Sequence, residues 1–231
     1  MPKGHDGAQQ AVVQTLRSLG LEPSGRIKTT ISIVEKLKRE STRLSRLQDV
    51  AGCRIVVNYI AQQDRVAALV SDRFPKTTSI DRRQKHSHGY RAVHIVVDID
   101  GRLVEIQIRT ELQHLWVIWS ETLAAALDQS IKYGGGSVEI QQLLILESEI
   151  VGLLESQERG TAAGLEALAS IPMPSAANVF MDRLSGKSLP PDVLAATRFA
   201  GGVMDLIRLE QDVKERLTRE ILNLKSKRQN P

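Results

Sequence analysis

Residues 91–110, RAVHIVVDIDGRLVEIQIRT, are two runs in which aliphatic residues alternate with others, joined by Asp100-Gly101. Period-two alternation marks a strand, and Asp-Gly accepts the left-handed backbone angles at both centres of a type I′ turn. The stretch therefore predicts a two-stranded hairpin. Ile99 then faces Arg102, and counting outward sets Val96 against Glu105, His94 against Gln107 and Ala92 against Arg109. These last six residues share one sheet face, because residues directly opposite in a ladder point the same way. A carboxylate, an amide, an imidazole and a guanidinium thus converge. In a purely structural sheet such a face would simply be solvated.

Working outward, residues 52–59, GCRIVVNY, are rich in β-branched types and predict a buried strand. A helix follows over 61–74, with Val66, Leu69 and Val70 facing in. The polar, basic run SIDRRQKHSHGY (79–90) reads as a loop. Beyond the hairpin, Leu112, Leu115, Trp116, Trp119 and Leu123 form the apolar stripe of a helix over 111–132, ended by Gly134 to Gly136. Upstream, Val12, Val13, Leu16 and Leu19 mark a short helix over 8–19, and Ile27, Ile31, Val34 and Leu37 recur at helical spacing from Arg26 to Glu40. Lys28, Ser32 and Lys36 fall on a separate face of that second helix. Downstream, Ser137 can cap a helix running towards Glu158, residues 171–191 contain prolines, and a last helix spans about 193–226. Helices mixed with strands around a central hairpin predict an α+β fold. The chain divides into an N-terminal helix and linker (1–25), a core (26–136) and a helical extension (137–231).

Hydrophobic residues make up 42% of the chain and aromatic ones only 3%, so the core is aliphatic. The formal charge is only +4, yet eight Lys/Arg stand against three Asp/Glu between Arg26 and Arg54. Positive charge gathered this way suits phosphate ligands or nucleic acid. Cys53 is the only cysteine, which excludes a disulfide framework and a four-cysteine metal site and fits a reducing cytosol. Neither an apolar signal core nor a bilayer-length apolar run is present, so a cytoplasmic protein is expected. His86, His88, His94 and His114 raise zinc, but they fall on a loop, a strand and a helix rather than in one ligand pattern. Asp49, just before a strand, and Glu105, on a neighbouring one, are the minimum carboxylate set for Mg²⁺. Tyr90, after Gly89, can stack on a base.

Four spaced motifs occur in order: Arg26-Ile-Lys28 with Ser32 and Lys36; Asp49-Val-Ala-Gly-Cys-Arg54-Ile; His88-Gly-Tyr90-Arg-Ala-Val-His94; and Glu105-Ile-Gln107-Ile-Arg109-Thr110. Together they resemble the RelA/SpoT synthetase domain across roughly Arg26 to Glu121, in the manner of the short, single-domain alarmone synthetases. The resemblance implies a mixed sheet flanked by helices, related to nucleotidyltransferases, with a helical C-terminal extension. It implies Mg²⁺-dependent transfer of pyrophosphate from ATP to the 3′-hydroxyl of GDP or GTP. Arg26 and Arg54 would sandwich the adenine, while Lys28, Ser32 and Lys36 hold the ATP phosphates. Asp49 would bind the metal, and Glu105 would assist it or polarise the attacking hydroxyl. Tyr90 would stack on the guanine, with Gln107, Arg109 and His94 lining the acceptor and phosphate region.

The loop before Tyr90 carries Arg82, Arg83 and Lys85, with its charges arranged differently from many relatives. The Arg82-Arg83 pair could grip a nucleotide diphosphate or an RNA backbone. Two other readings therefore stand beside the first: a relative that pyrophosphorylates the 3′ end of tRNA, and a non-catalytic nucleotide- or RNA-binding module. Helices after Ser137, through Leu143, Leu144, Leu146, Ile150 and Leu153, are expected to support self-association, as in some short relatives.

Overall fold

In the computed structural model the Asp100-Gly101 turn has φ of 52° and 79° at its two centres, and the Gly101 N–H donates to Asp98 Oδ1 at 2.7 Å. The model describes residues 4–27, 37, 50–84, 86–169 and 208–226; the side chains of residues 26, 27 and 161–169 lie outside that description. Strands β4 (Val93–Ile99) and β5 (Arg102–Thr110) flank the turn, in the register Ile99 to Arg102, Val96 to Glu105 and His94 to Gln107. The ladder ends at Val93 and Ile108, one step short of Ala92 and Arg109. Turn chemistry and alternation act together here, because a slip of one residue would turn every aliphatic side chain away from the core.

Three more strands complete a mixed sheet: β1 (Ser24–Ile27), β2 (Ala51–Val57) and β3 (Thr77–Asp81), in the spatial order β1-β2-β5-β4-β3. Only β2 and β5 pair in parallel. Gly52 lies opposite Glu105, where a Cβ would stand 2.9 Å from the Glu105 carbonyl oxygen. Val93, Ile95, Val97, Val104, Ile106 and Ile108 are buried on one face under α1 (Gly4–Ser18) and α2 (Ile60–Arg73), which contribute Val12, Leu16, Val66 and Val70. A second apolar cluster joins α3 (Glu111–Ala126) to α4 (Val138–Ala169) and to α5 (208–226), through Trp116, Trp119, Leu144, Leu154 and Leu217.

Several elements depart from the sequence-based expectation. Ser79 to Asp81 belong to β3, an edge strand whose side chains are mostly solvated, so its sequence lacks the apolar alternation that marks an inner strand. In α2 the inward positions are Gln63, Val66 and Val70, whereas Leu69 is 40% exposed. Gln63 earns a buried place because its Nε2 donates to the Ile108 carbonyl at 2.7 Å and to Gln113 Oε1 at 2.8 Å. The helix expected over 111–132 stops at Ala126, and Asp128 caps a separate 3₁₀ turn (Gln129–Tyr133) by accepting from the Ser130 N–H at 2.9 Å. Helix α4 continues past Glu158 to Ala169. Leu144 is buried within its own chain, while Leu143, Leu146 and Leu153 are exposed. Residues 171–191 lie outside the described residues, and the last helix is described from 208. Among the described residues, no helix is long and apolar enough to cross a membrane.

Gly89 joins the loop to the second cluster at φ +84°, and a Cβ there would lie 2.6 Å from Trp116 Cζ2 and 2.8 Å from the Leu144 carbonyl oxygen. Gly101 shares the left-handed backbone, yet its Cβ direction has nothing within 4 Å. Gly89→Ala is therefore expected to cost about 2–4 kcal/mol, from left-handed strain plus overpacking against backbone, and Gly101→Ala only about 1 kcal/mol. Urea unfolding of the two variants checks this, and equal losses would contradict it.

Candidate active site

Five of the expected site residues form a closed ring of hydrogen bonds on the face of β4 and β5 opposite the aliphatic core. Arg109 Nη2 donates to Gln107 Oε1 at 2.8 Å and to the Tyr90 hydroxyl at 3.0 Å. Gln107 Nε2 donates to Glu105 Oε2 at 2.7 Å. His94 Nδ1 lies 2.7 Å from Glu105 Oε1, and His94 Nε2 lies 2.8 Å from the Tyr90 hydroxyl. A carboxylate only accepts, so the proton sits on Nδ1, and a neutral ring then accepts from the tyrosine at Nε2. Two donor arms leave the Arg109 guanidinium, and both end on the Glu105 carboxylate.

Burial is the first influence on Tyr90 and pushes its phenol up, against the pull of the Arg109 charge, so it keeps the proton it gives to His94. The Arg109 guanidinium lies 5.2 Å from the centre of the Tyr90 ring, and the His94 ring meets that ring edge-on at 5.5 Å. Arg109 is only 3% exposed, and its Nε and Nη1 have no hydrogen-bond partner among the described residues. A buried cation with unfilled donors calls for an anion.

Neighbouring elements extend the face. Arg54 on β2 pairs in register with Gln107 and so shares its side of the sheet. Thr110 and Gln113 form a reciprocal capping box that starts α3 directly after Arg109. His114, in the first turn of that helix, is pushed down by burial and then by the Arg54 and Arg109 charges, with Glu121 opposing. Its place beside the site was missed from sequence alone; the Thr-x-x-Gln spacing was the signal that could have revealed it. Cys53 lies on the opposite, core side of β2, where burial and the Glu105 charge push its thiol up to about 12.

Other expected residues stand elsewhere. The Arg83 guanidinium is tied to Asp64 of α2 at 2.5 Å and to Asp81 at 2.9 Å, and reaches Gln63, on the side of the sheet covered by α2. In this placement local acids, rather than the ring on β4 and β5, satisfy its charge. Its neighbour Arg82 donates its backbone N–H to the Ala92 carbonyl at 2.9 Å. The His88 ring rests against Gly134, and among the described residues no three His, Cys, Asp or Glu converge as metal ligands. Lys28, Ser32, Lys36 and Asp49 lie outside the described residues, as does the side chain of Arg26, whose backbone pairs with Gly52.

On one face of the mixed sheet a carboxylate, an amide and an imidazole thus meet a guanidinium with two unfilled nitrogens, a donor set able to take an anionic ligand. Residues 25–128 match the family model described as the region found in RelA/SpoT proteins. An uncharacterized protein of Mycobacterium tuberculosis is 30% identical over 201 residues, covering 83% of this chain and 70% of its own. The GTP pyrophosphokinase YjbM of Bacillus subtilis is 32% identical over 131 residues, covering 50% of this chain and 59% of its own. The B. subtilis small alarmone synthetase 1, solved with its product pppGpp, superposes with a TM-score of 0.56 at 26% identity, over 69% of this chain and 93% of that one. The small alarmone synthetase 2 of the same organism shares the fold, with a TM-score of 0.57 at 22% identity, over 69% of this chain and 95% of that one. The chain belongs to the RelA/SpoT synthetase family. Family and fold together indicate a pyrophosphokinase-type enzyme.

Proposed function

We propose that this chain transfers pyrophosphate from ATP to the 3′-hydroxyl of GDP or GTP, giving AMP and (p)ppGpp. The observation that carries the reading is the hydrogen-bond ring in which both arms from Arg109 end on Glu105. Transfer to a hydroxyl needs a base for its proton and fixed positive charge for the moving phosphates. Glu105 is oriented by His94 and Gln107 for the first task, and the unfilled donors of Arg109 suit the acceptor's own phosphates beside the moving group. Tyr90, with its hydroxyl anchored at both sides, offers a ring held in one orientation for the guanine.

The donor set also fits Mg²⁺. The Glu105 carboxylate supplies the hard oxygen donors that this ion takes. Asp49 is the second proposed ligand, and the ion would neutralise charge on the substrate phosphates. Arg54, with Arg26, Lys28, Ser32 and Lys36, is proposed to hold ATP.

Incubation with ATP labelled in its γ-phosphate, together with GDP, GTP and deacylated tRNA, tests the acceptor. Label is expected in the guanine nucleotide, and Tyr90→Ala should lower that labelling about 5- to 150-fold, the worth of one stacked base. A mononucleotide needs only a short cationic patch, whereas tRNA engages many phosphates and binds with strong salt dependence. The engagement of Arg83 by Asp64 and Asp81 leaves the loop with less free charge for an RNA backbone. Label confined to tRNA would establish the tRNA-modifying reading instead.

A further inference from the structure

Helix α4 begins after the residues that match the family model, yet the chain segments carrying Tyr90 and Arg109 both rest on one stripe of it. Leu144, Ser148, Gly152 and Glu155 recur at i, i+4, i+8 and i+11, which places them on one helix face. Gly89 packs against the first two: its Cβ direction meets the Leu144 carbonyl oxygen and, at 3.2 Å, the Ser148 Cβ. Arg91 Nε donates to the Ser148 carbonyl at 3.0 Å and to the Ser148 hydroxyl at 2.9 Å. The same guanidinium lies over Gly152, where a Cβ would be 2.8 Å from Arg91 Cζ. Further along, Glu155 Oε1 accepts from the Thr110 hydroxyl at 2.6 Å and from Gln113 Nε2 at 2.8 Å.

Tyr90 is flanked by Gly89 and Arg91, and Arg109 immediately precedes Thr110. The two residues at the root of the site's ring are thus each one peptide bond from a contact on α4. Each contact is specific. Glu155 is a carboxylate only 5% exposed, and burial, its first influence, pushes it up against the hydrogen bonds from Thr110 and Gln113. Gln113 passes the restraint on through Gln63 to the Ile108 carbonyl, the residue before Arg109.

We infer that Glu155 and Ser148 of α4 are positioning residues for the acceptor side of the site, latching the Tyr90 and Arg109 segments in mutual register. The inference rests on the reading that these two residues bind the acceptor. Removal of the latch leaves Tyr90 and Arg109 chemically intact but lets their segments move apart. Among the described residues, the hydrogen bonds of Ser148 and Glu155 are with Arg91, Thr110 and Gln113, and not with Arg54 of the proposed ATP side.

The test uses the full chain with Glu155→Leu, Glu155→Gln and Ser148→Ala, read by steady-state kinetics and by hydrogen–deuterium exchange without substrate. Glu155→Leu removes the acceptor oxygen and is expected to raise the KM for GDP about tenfold, with the KM for ATP within about twofold. Glu155→Gln keeps an oxygen able to accept both bonds and is expected to restore the GDP value. Exchange should quicken in residues 105–110 of the leucine variant and in residues 87–94 of Ser148→Ala, and stay unchanged in α1 of both. If Glu155→Leu does not fold, Ser148→Ala decides, with an expected rise of about threefold to fivefold in the GDP KM alone. Equal rises for both substrates, unchanged exchange, or failure of Glu155→Gln to restore would overturn the latch. Quickened exchange in a protein that does not use GDP would keep the latch and sink the acceptor reading instead.

Discussion

Glu105→Gln is expected to lower turnover by at least about a hundredfold, the worth of a positioned general base, while the protein stays folded. The side chain changes little in size, but its hydrogen-bond logic reverses at one atom. Glu105 accepts on both oxygens, from His94 Nδ1 and from Gln107 Nε2. A glutamine there can accept from only one of them and presents an N–H₂ to the other. If it faces Gln107, that amide must flip, and its oxygen then leaves Arg109 Nη2. If it faces His94, the imidazole must change tautomer and can no longer accept from Tyr90 at Nε2. Either way the disturbance travels round the ring, so loss of the base is joined by misplacement of the acceptor side chains. Product chromatography with ATP, Mg²⁺ and GDP, alongside thermal unfolding of the same preparation, checks the expectation. A folded variant with near-normal turnover would remove Glu105 from the chemistry.

Arg109→Met should be nearly as damaging to kcat/KM, with a loss of about a hundredfold or more, because it deletes the only cation of the ring and the two bonds that start its arms. Its effect on the unliganded fold is expected to be far smaller. Two nitrogens of Arg109 are buried without partners among the described residues, a cost that offsets much of what its two bonds contribute. Ligand-dependent stability makes the distinction visible. Saturation with nucleotide at about a hundred times Kd stabilises a protein by roughly 2.7 kcal/mol. The wild-type shift in Tm with GDP should shrink in Arg109→Met even where the Tm without GDP barely changes. An undiminished shift would mean that Arg109 is a structural arginine and that its open nitrogens face no ligand.

The hairpin and its polar face were legible before any coordinates because their determinants are local. Asp100-Gly101 sets the turn, period two sets the faces, and the register of Val96 with Glu105 and of His94 with Gln107 follows by counting. The family motifs then placed Glu105, Gln107, Arg109, His94 and Tyr90 in one site before the ring that joins them was visible. Edge strand β3 is not legible in the sequence because a solvated strand carries no apolar code, and α3 ends short of the expected 132 because Asp128 offers the backbone a competing bond.

By itself, then, the sequence determined the α+β composition, the central hairpin and its polar face from residues close together along the chain, and the family from four spaced motifs in order. Tertiary structure alone decided that Arg83 turns to Asp64, that Gln63 belongs in the core, and that Glu155 meets Thr110 across 45 residues. A side chain's partner across such a distance depends on how whole elements pack. Arginine beside an acid in a folded protein and arginine facing a phosphate look the same when written as letters, and only the packing of α2 and α4 against the sheet tells them apart.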